Sequence, residues 1–221
     1  MMVTIIGRRR ASLTFATLAA LGALVLTPAL GEGQTVSGTG AAATVSTAGS
    51  AVQTFASATL PSDGGMDNAD LDTATLANTL GANGLTAITT GQIDETLVSA
   101  TTSAEAADVN ILNGLITAKA VVALATSYAN GAAATSESNG STLLGLVVGG
   151  VSYGDATPAP NTRLDLPGVG YAVLNEQSQT GDGVHSTGLT VNMIHVYLTN
   201  PLNGTTTGNI VVGTAQSAAS R

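Results

Sequence analysis

Cysteine and tryptophan are absent from the 221 residues, and lysine occurs once, at Lys119. Without cysteine there is no disulfide, no thiolate metal site and no cysteine nucleophile, so the fold must hold through packing and backbone pairing alone. An exported chain without covalent staples is more typical of bacterial surface proteins than of small eukaryotic secreted domains. Aromatic side chains are nearly as scarce: after residue 31 only Phe55, Tyr128, Tyr153, Tyr171 and Tyr197 occur. That poverty argues against the stacking platforms on which sugars are bound, in a glycosidase cleft or in a carbohydrate-binding module. Basic residues after position 31 are Lys119, Arg163 and Arg221 against fourteen acidic ones, a net charge of −11 for that part of the chain. Phosphate backbones and anionic lipids need clustered lysine and arginine, so no nucleic-acid partner is expected.

What the chain does contain is alanine, glycine and threonine in short runs that alternate with larger apolar residues. Small residues at strand positions predict closely packed sheets with a thin core, each residue contributing less buried area than Leu or Phe would. The clearest local signal is Glu105–Leu124, EAADVNILNGLITAKAVVAL. Asn113-Gly114 suits a type I′ hairpin turn, because both central residues need φ > 0. That turn sets Ile111 opposite Ile116, Val109 opposite Ala118 and Asp108 opposite Lys119. Asp108, Asn110, Thr117 and Lys119 then share a polar face, with a cross-strand ion pair between Asp108 and Lys119. Ala107, Val109, Ile111, Ile116, Ala118, Ala120 and Val122 share the apolar one.

Met1–Gly31 has the three parts of an export signal: Arg8-Arg9-Arg10, the apolar run Ala11–Leu26, and small residues at Ala29 and Gly31. Cleavage is expected before Glu32, which leaves a secreted chain, extracellular or at the cell surface, with no membrane span. Glu32–Ser50 is small and polar and reads as a flexible leader or weak edge strand, followed by one β domain over 51–221. Val52–Leu60 alternates as a strand that ends at Pro61.

Ser62–Asp72 reads as a turn-rich acidic loop with Asp63, Asp67, Asp70 and Asp72. Hard cations such as calcium take several carboxylate and carbonyl oxygens from a tight loop, so these four are the candidate metal ligands. A solvated acidic loop is the plainer alternative, and no cofactor other than calcium is suggested. Leu71–Leu80 and Leu85–Ile93 read as strands separated by Gly81, Asn83 and Gly84. A second hairpin turns at Gly149-Gly150, placing Leu144, Leu146, Val148, Val151 and Tyr153 on one face. Leu166–Val169 suits a type II turn at Pro167-Gly168. Glu176–Val184 reads as a polar loop. Leu189–Thr199 is apolar on both faces and therefore expected to be central, and Asn209–Ala218 is a last strand. Roughly ten closely spaced strands predict an all-β antiparallel sandwich, jelly-roll or Greek-key-like, with a barrel or short solenoid as the alternative.

Leu166–Gln177 (LPGVGYAVLNEQ), Leu189–Thr199 (LTVNMIHVYLT) and Gly208–Ser217 (GNIVVGTAQS) together resemble the choice-of-anchor P family of bacterial secreted proteins. Asn110–Val121 is similar to that family's central hairpin. The resemblance implies an exported, surface-associated domain and supplies no catalytic residues. The sequence departs from the anchored pattern in ending at Ser220-Arg221 without an LPxTG-type motif or an apolar tail.

The residues offer little for catalysis. His185 and Ser186 lie close to Asp182, but no G-x-S-x-G elbow is present. His195 alternates with Val191, Met193 and Tyr197, which suits a packed, hydrogen-bonded strand histidine. A non-enzymatic structural or assembly protein of the cell surface or extracellular matrix is therefore expected. Its partners would be itself or another surface protein, bound by strand addition through Asn209–Ala218 or Thr35–Leu60. A calcium- or ligand-binding extracellular module is the alternative.

Overall fold

A computed structural model describes residues 33–221; the export signal and its cleavage before Glu32 lie outside the described residues. In chain order the strands are β1 (Thr35–Thr47), β2 (Gln53–Thr59), β3 (Gly65–Leu76), β4 (Leu80–Ile93) and β5 (Val98–Ile111). They continue as β6 (Ile116–Ala129), β7 (Ala134–Glu137), β8 (Thr142–Val148), β9 (Val151–Ala156) and β10 (Thr162–Leu166). Last come β11 (Gly170–Gly181), β12 (Ser186–Thr199) and β13 (Thr206–Ser220), with no helix among the described residues. One sheet runs β10–β11–β12–β13–β1–β2 and the other β3–β4–β5–β6–β8–β9, with β7 beside β6. All pairings are antiparallel.

The expected all-β sandwich is the observed architecture. Its connectivity is that of meanders joined by two crossings, β2 to β3 and β9 to β10, in place of long Greek-key returns. The sheets pack with β1 over β4 and β5, β13 over β5 and β6, and β12 over β6. The β2 and β3 edges therefore share one lateral side, and β9 and β10 the other.

The core divides in two. Leu85, Ile111, Ile116, Leu143, Leu146, Leu174, Met193, Ile194 and Ile210 fill the wider part. Toward the other end it thins to alanines and hydroxyls. Ser127 Oγ lies 2.8 Å from both Ser136 Oγ and Ser217 Oγ, and Thr102 donates to Thr89 at 3.2 Å. Paired hydroxyls let polar side chains be buried at small cost.

Both sheets are creased along a line on which several residues are left-handed. In the first sheet the line passes through Asn161 (φ 62), Asn175 (φ 48), Met193, Gly213 (φ 72), Ala42 and Ala56 (φ 46), and the regular pairs on either side of it keep their register. In the second sheet it passes through Gly84 (φ 52), Asp108 (φ 47), Lys119, Gly145 (φ 59) and Gly154 (φ 66). Each strand changes inward parity as it crosses. β5 buries Val98, Ala100, Thr102, Ala104 and Ala106, then Val109 and Ile111. β12 buries Leu189, Val191 and Met193, then Ile194 and Val196.

This crease accounts for most departures from the expected pattern. The Asn113-Gly114 turn forms with φ 55 and 88, and Ile111 meets Ile116 as expected. Beyond Asp108, however, Ala106, Val121 and Ala123 are buried, and Ala107, Ala120 and Val122 turn outward. The Asp108–Lys119 ion pair does not form: Asp108 accepts from Asn83 Nδ2 at 3.4 Å, and the ion pairs among the described residues lie elsewhere. Leu189–Thr199 is interior, but its apolar residues face one side and switch parity at Met193. Gly81, Asn83 and Gly84 are not a turn. They lie inside β4 where it is bulged, and the chain reverses at Ala77–Thr79. In the second hairpin Val148 meets Val151, yet Leu146 meets Gly154. Leu143 is buried there, and Leu144, Val151 and Tyr153 are exposed. The Pro167-Gly168 turn is as expected, with Gly168 at φ 79 and Val169 donating to Leu166 O at 2.9 Å.

Two expectations fall for another reason. Thr35–Thr47 is not a leader: it pairs with β13 on one side and β2 on the other, and buries Val36, Ala42, Ala43 and Val45. Asn209–Ala218 lies in β13 between β12 and β1. Both backbones are therefore used on both sides, and neither segment is free to add to another chain. Within Thr35–Leu60 only β2 retains an outer edge.

Candidate functional site

The acidic segment does not form a loop. Asp63 lies in the Pro61–Gly64 turn, and Asp67, Asp70 and Asp72 belong to the edge strand β3. Asp67 and Asp70 are three apart in a strand, so their side chains leave from opposite faces. Asp67 Oδ2 accepts the Thr59 backbone N–H at 2.8 Å, and Asp70 accepts from Thr86 Oγ1 at 3.0 Å and Asn68 Nδ2 at 3.2 Å. Among the described residues no three His, Asp or Glu side chains converge as a metal site would require. Strand geometry thus keeps Asp67 apart from Asp70, and Asp63 stands outside the strand in the turn.

Asp182, His185 and Ser186 do meet, but around the aspartate. Asp182 Oδ1 accepts the backbone N–H groups of Val184, His185 and Ser186 at 2.8–3.0 Å, and Oδ2 lies 3.1 Å from His185 Nδ1. Those backbone donors, together with His185, hold the Asp182 carboxyl well below the ordinary carboxylate range. Ser186 Oγ points to the same carboxylate at 3.5 Å rather than to the imidazole. A hydrolase would need the serine on the histidine. This constellation instead closes the short loop between β11 and β12, which shrinks the expected Glu176–Val184 loop to a four-residue turn region after Gly181.

The densest polar constellation lies on the outer face of the first sheet. Glu176 on β11 receives three donors from β12. Tyr197 Oη donates to Oε1 at 2.6 Å, Asn192 Nδ2 donates to Oε2 at 2.9 Å, and His195 Nδ1 lies 2.6 Å from Oε2. Asn192 Oδ1 in turn accepts from Thr214 on β13 at 2.9 Å. The strands present these groups together because Glu176 pairs with Asn192 just beyond the crease, which tilts His195 and Tyr197 back toward the carboxylate. A column of planar groups continues from there: His195 on Tyr197 at 3.9 Å, Tyr197 on Tyr171 at 4.7 Å, and Arg163 over Tyr171 at 3.8 Å. His195 was legible as a hydrogen-bonded strand histidine. Glu176 was not, because a glutamate in a polar run reads as loop.

The Glu176 carboxylate is fully engaged, whereas His195 Nε2 is buried without a hydrogen-bond partner among the described residues. Burial raises the Glu176 pKa, but the hydrogen bonds from Tyr197, His195 and Asn192 outweigh it and hold the carboxyl below its ordinary 4.5. Burial and the adjacent Glu176 push the Tyr197 hydroxyl above its ordinary value. A carboxylate with three donors is a weak base, and its tyrosine is a weak acid, so the arrangement orders the sheet face. Its contribution to stability has a definite sign. A depressed pKa supplies stability above the unfolded value and loses it as pH falls through the folded one. Glu176→Gln should therefore cost about 1–2 kcal/mol near neutrality. It should also flatten the loss of melting temperature below pH 4.5. A variant whose melting curve tracks the parent at every pH would contradict this.

Comparison with protein-family models, curated proteins and solved structures yields no match for the chain.

Proposed function

We propose that the chain is a non-enzymatic structural or assembly protein, exported to the bacterial surface or its matrix, that works by associating with copies of itself. The observation that supports this most directly is the lateral side formed by β9 and β10. Each strand ends its sheet there, and β9 exposes Val151 and Tyr153 at 59% and 45% beside an unpaired backbone. Exposed apolar side chains along an open strand edge favour pairing with another strand. The export signal and the resemblance to choice-of-anchor P proteins point to the same setting. Lysine, the usual guard of such edges, is nearly absent from the chain.

The mature chain is expected to gain mass with concentration in multi-angle light scattering. Val151→Lys with Tyr153→Lys should shift that gain to concentrations about tenfold higher, as added edge charges do. A parent protein that stays monomeric up to millimolar concentration would overturn the proposal.

A further inference from the structure

We infer that β10 is a self-complementary edge, through which two copies pair about a two-fold axis at Leu164 and continue the first sheet from one molecule into the next. The inference rests on the assembly reading above and names its contact. β10 is the terminal strand of its sheet, with β11 as its one strand neighbour, and its register with β11 is unbroken from Thr162 to Leu166. Leu166 O accepts from Val169 N at 2.9 Å inside the hairpin, and Val169 O accepts from Thr199 N on β12 at 2.8 Å. Gly170, Ala172 and Leu174 therefore face β10, and their even-numbered partners turn their backbone groups toward β11. By the alternation of an antiparallel ladder, Arg163 and Asp165 turn theirs outward.

A second β10 laid antiparallel on that edge, centred on Leu164, satisfies every outward group reciprocally. Arg163 N–H meets Asp165 C=O of the other copy and Asp165 N–H meets Arg163 C=O of the other copy, twice over by the two-fold. Arg163 then falls opposite Asp165 of the other copy, and Asp165 opposite Arg163. Those two positions are the hydrogen-bonded ones, where directly opposed long side chains still reach each other. Leu164 on the axis is the non-hydrogen-bonded position, where side chains come closest. The charges are already placed for it. Arg163 lies over the Tyr171 ring at 3.8 Å and 3.1 Å from its own Asp165, with the two side chains 59% and 77% exposed. A two-fold contact of this kind is closed and yields dimers.

The other edges do not offer this. β3 would set Asp67, Asp70 and Asp72 against one another, β2 has its Thr59 N–H occupied by Asp67 and a left-handed Ala56, and β9 is bulged at Gly154. β9 differs again: it ends the other sheet, with Val151 and Tyr153 exposed. In a region of the chain with three basic residues against fourteen acidic ones, one of the three stands on this edge beside an aspartate and makes it locally neutral.

The test is a charge exchange followed by sedimentation and light scattering. Arg163→Asp and Asp165→Arg, made singly, each put like charges opposite one another, and should raise the half-association concentration about tenfold or more. The double exchange restores complementarity and should return association to the parental range. Mixing the two single variants should yield a heterodimer at concentrations where each alone is monomeric. Melting curves of the singles check that both fold. As an independent measurement, Leu164→Cys in this cysteine-free chain should cross-link to a disulfide dimer under mild oxidation at concentrations where Ser57→Cys on β2 does not. A parent that associates but is indifferent to all exchanges overturns the β10 contact and leaves the assembly reading standing. A monomeric parent overturns both.

Discussion

Deleting Glu32–Ser50 should abolish folding, not merely assembly. The segment contains β1, which pairs from Thr35↔Ser220 to Thr47↔Gly208 on one side and from Thr39↔Thr59 to Val45↔Gln53 on the other. Without it β2 has no sheet to join, and β13 acquires a long open edge. The apolar faces of Leu85, Ala104 and Val212 lose the Ala42, Ala43 and Val45 layer that covers them. Domains of this size are stable by about 5–15 kcal/mol in total, so the loss of an interior strand exceeds what remains. The expected result is a chain with a weak, non-cooperative β signal in far-ultraviolet circular dichroism. A truncated protein that melts cooperatively near the parental temperature would show that β1 is dispensable.

Gly38→Val should be the most destabilising single substitution in β1. Gly38 faces inward, and a Cβ there would lie 2.3 Å from Thr89 Oγ1 and 2.7 Å from Thr102 Oγ1. Those two hydroxyls are fully buried and hydrogen-bonded to each other at 3.2 Å. A side chain at 38 must push the sheets apart or break that pair. Overpacking and an unsatisfied buried hydroxyl together cost about 3 kcal/mol or more. Urea unfolding would register this as a lowered midpoint with an unchanged slope. A midpoint within experimental error of the parent would mean that the sheets separate there without cost. The outward neighbour Ser37 provides the control, since Ser37→Val should change stability by less than about 0.5 kcal/mol.

Much of this fold was legible where side-chain chemistry and backbone geometry agree. The turns at Asn113-Gly114, Gly149-Gly150 and Pro167-Gly168 each need φ > 0 at residues that tolerate it, and each is observed. The strand from 53 to 59 was bounded by Pro61. What failed did so for two physical reasons. Period-two reading assumes that a strand never changes parity, and the crease breaks that at Asp108, Met193 and Gly213. Polar residues were read as loop, although edge and outward-facing strand positions are solvated. Asp67, Asp70 and Asp72 on β3, and Glu176 through Gln179 on β11, are of this kind. The Glu176 constellation was out of reach for the same reason, since its donors gather across strands β11 and β12 at a register set by the crease. The edge pair Arg163 and Asp165 was visible as letters, but which side of β10 is open depends on sheet order.

Thr35 and Ser220 are direct partners at one end of the β1–β13 ladder. Anything that pulls on the chain through those two positions meets the ladder end-on. The hydrogen bonds are then loaded one after another, like a zip, and never all together in shear. A domain suspended by its two terminal strands thus yields at low force. The same domain gripped along β10 would bear load across its whole first sheet.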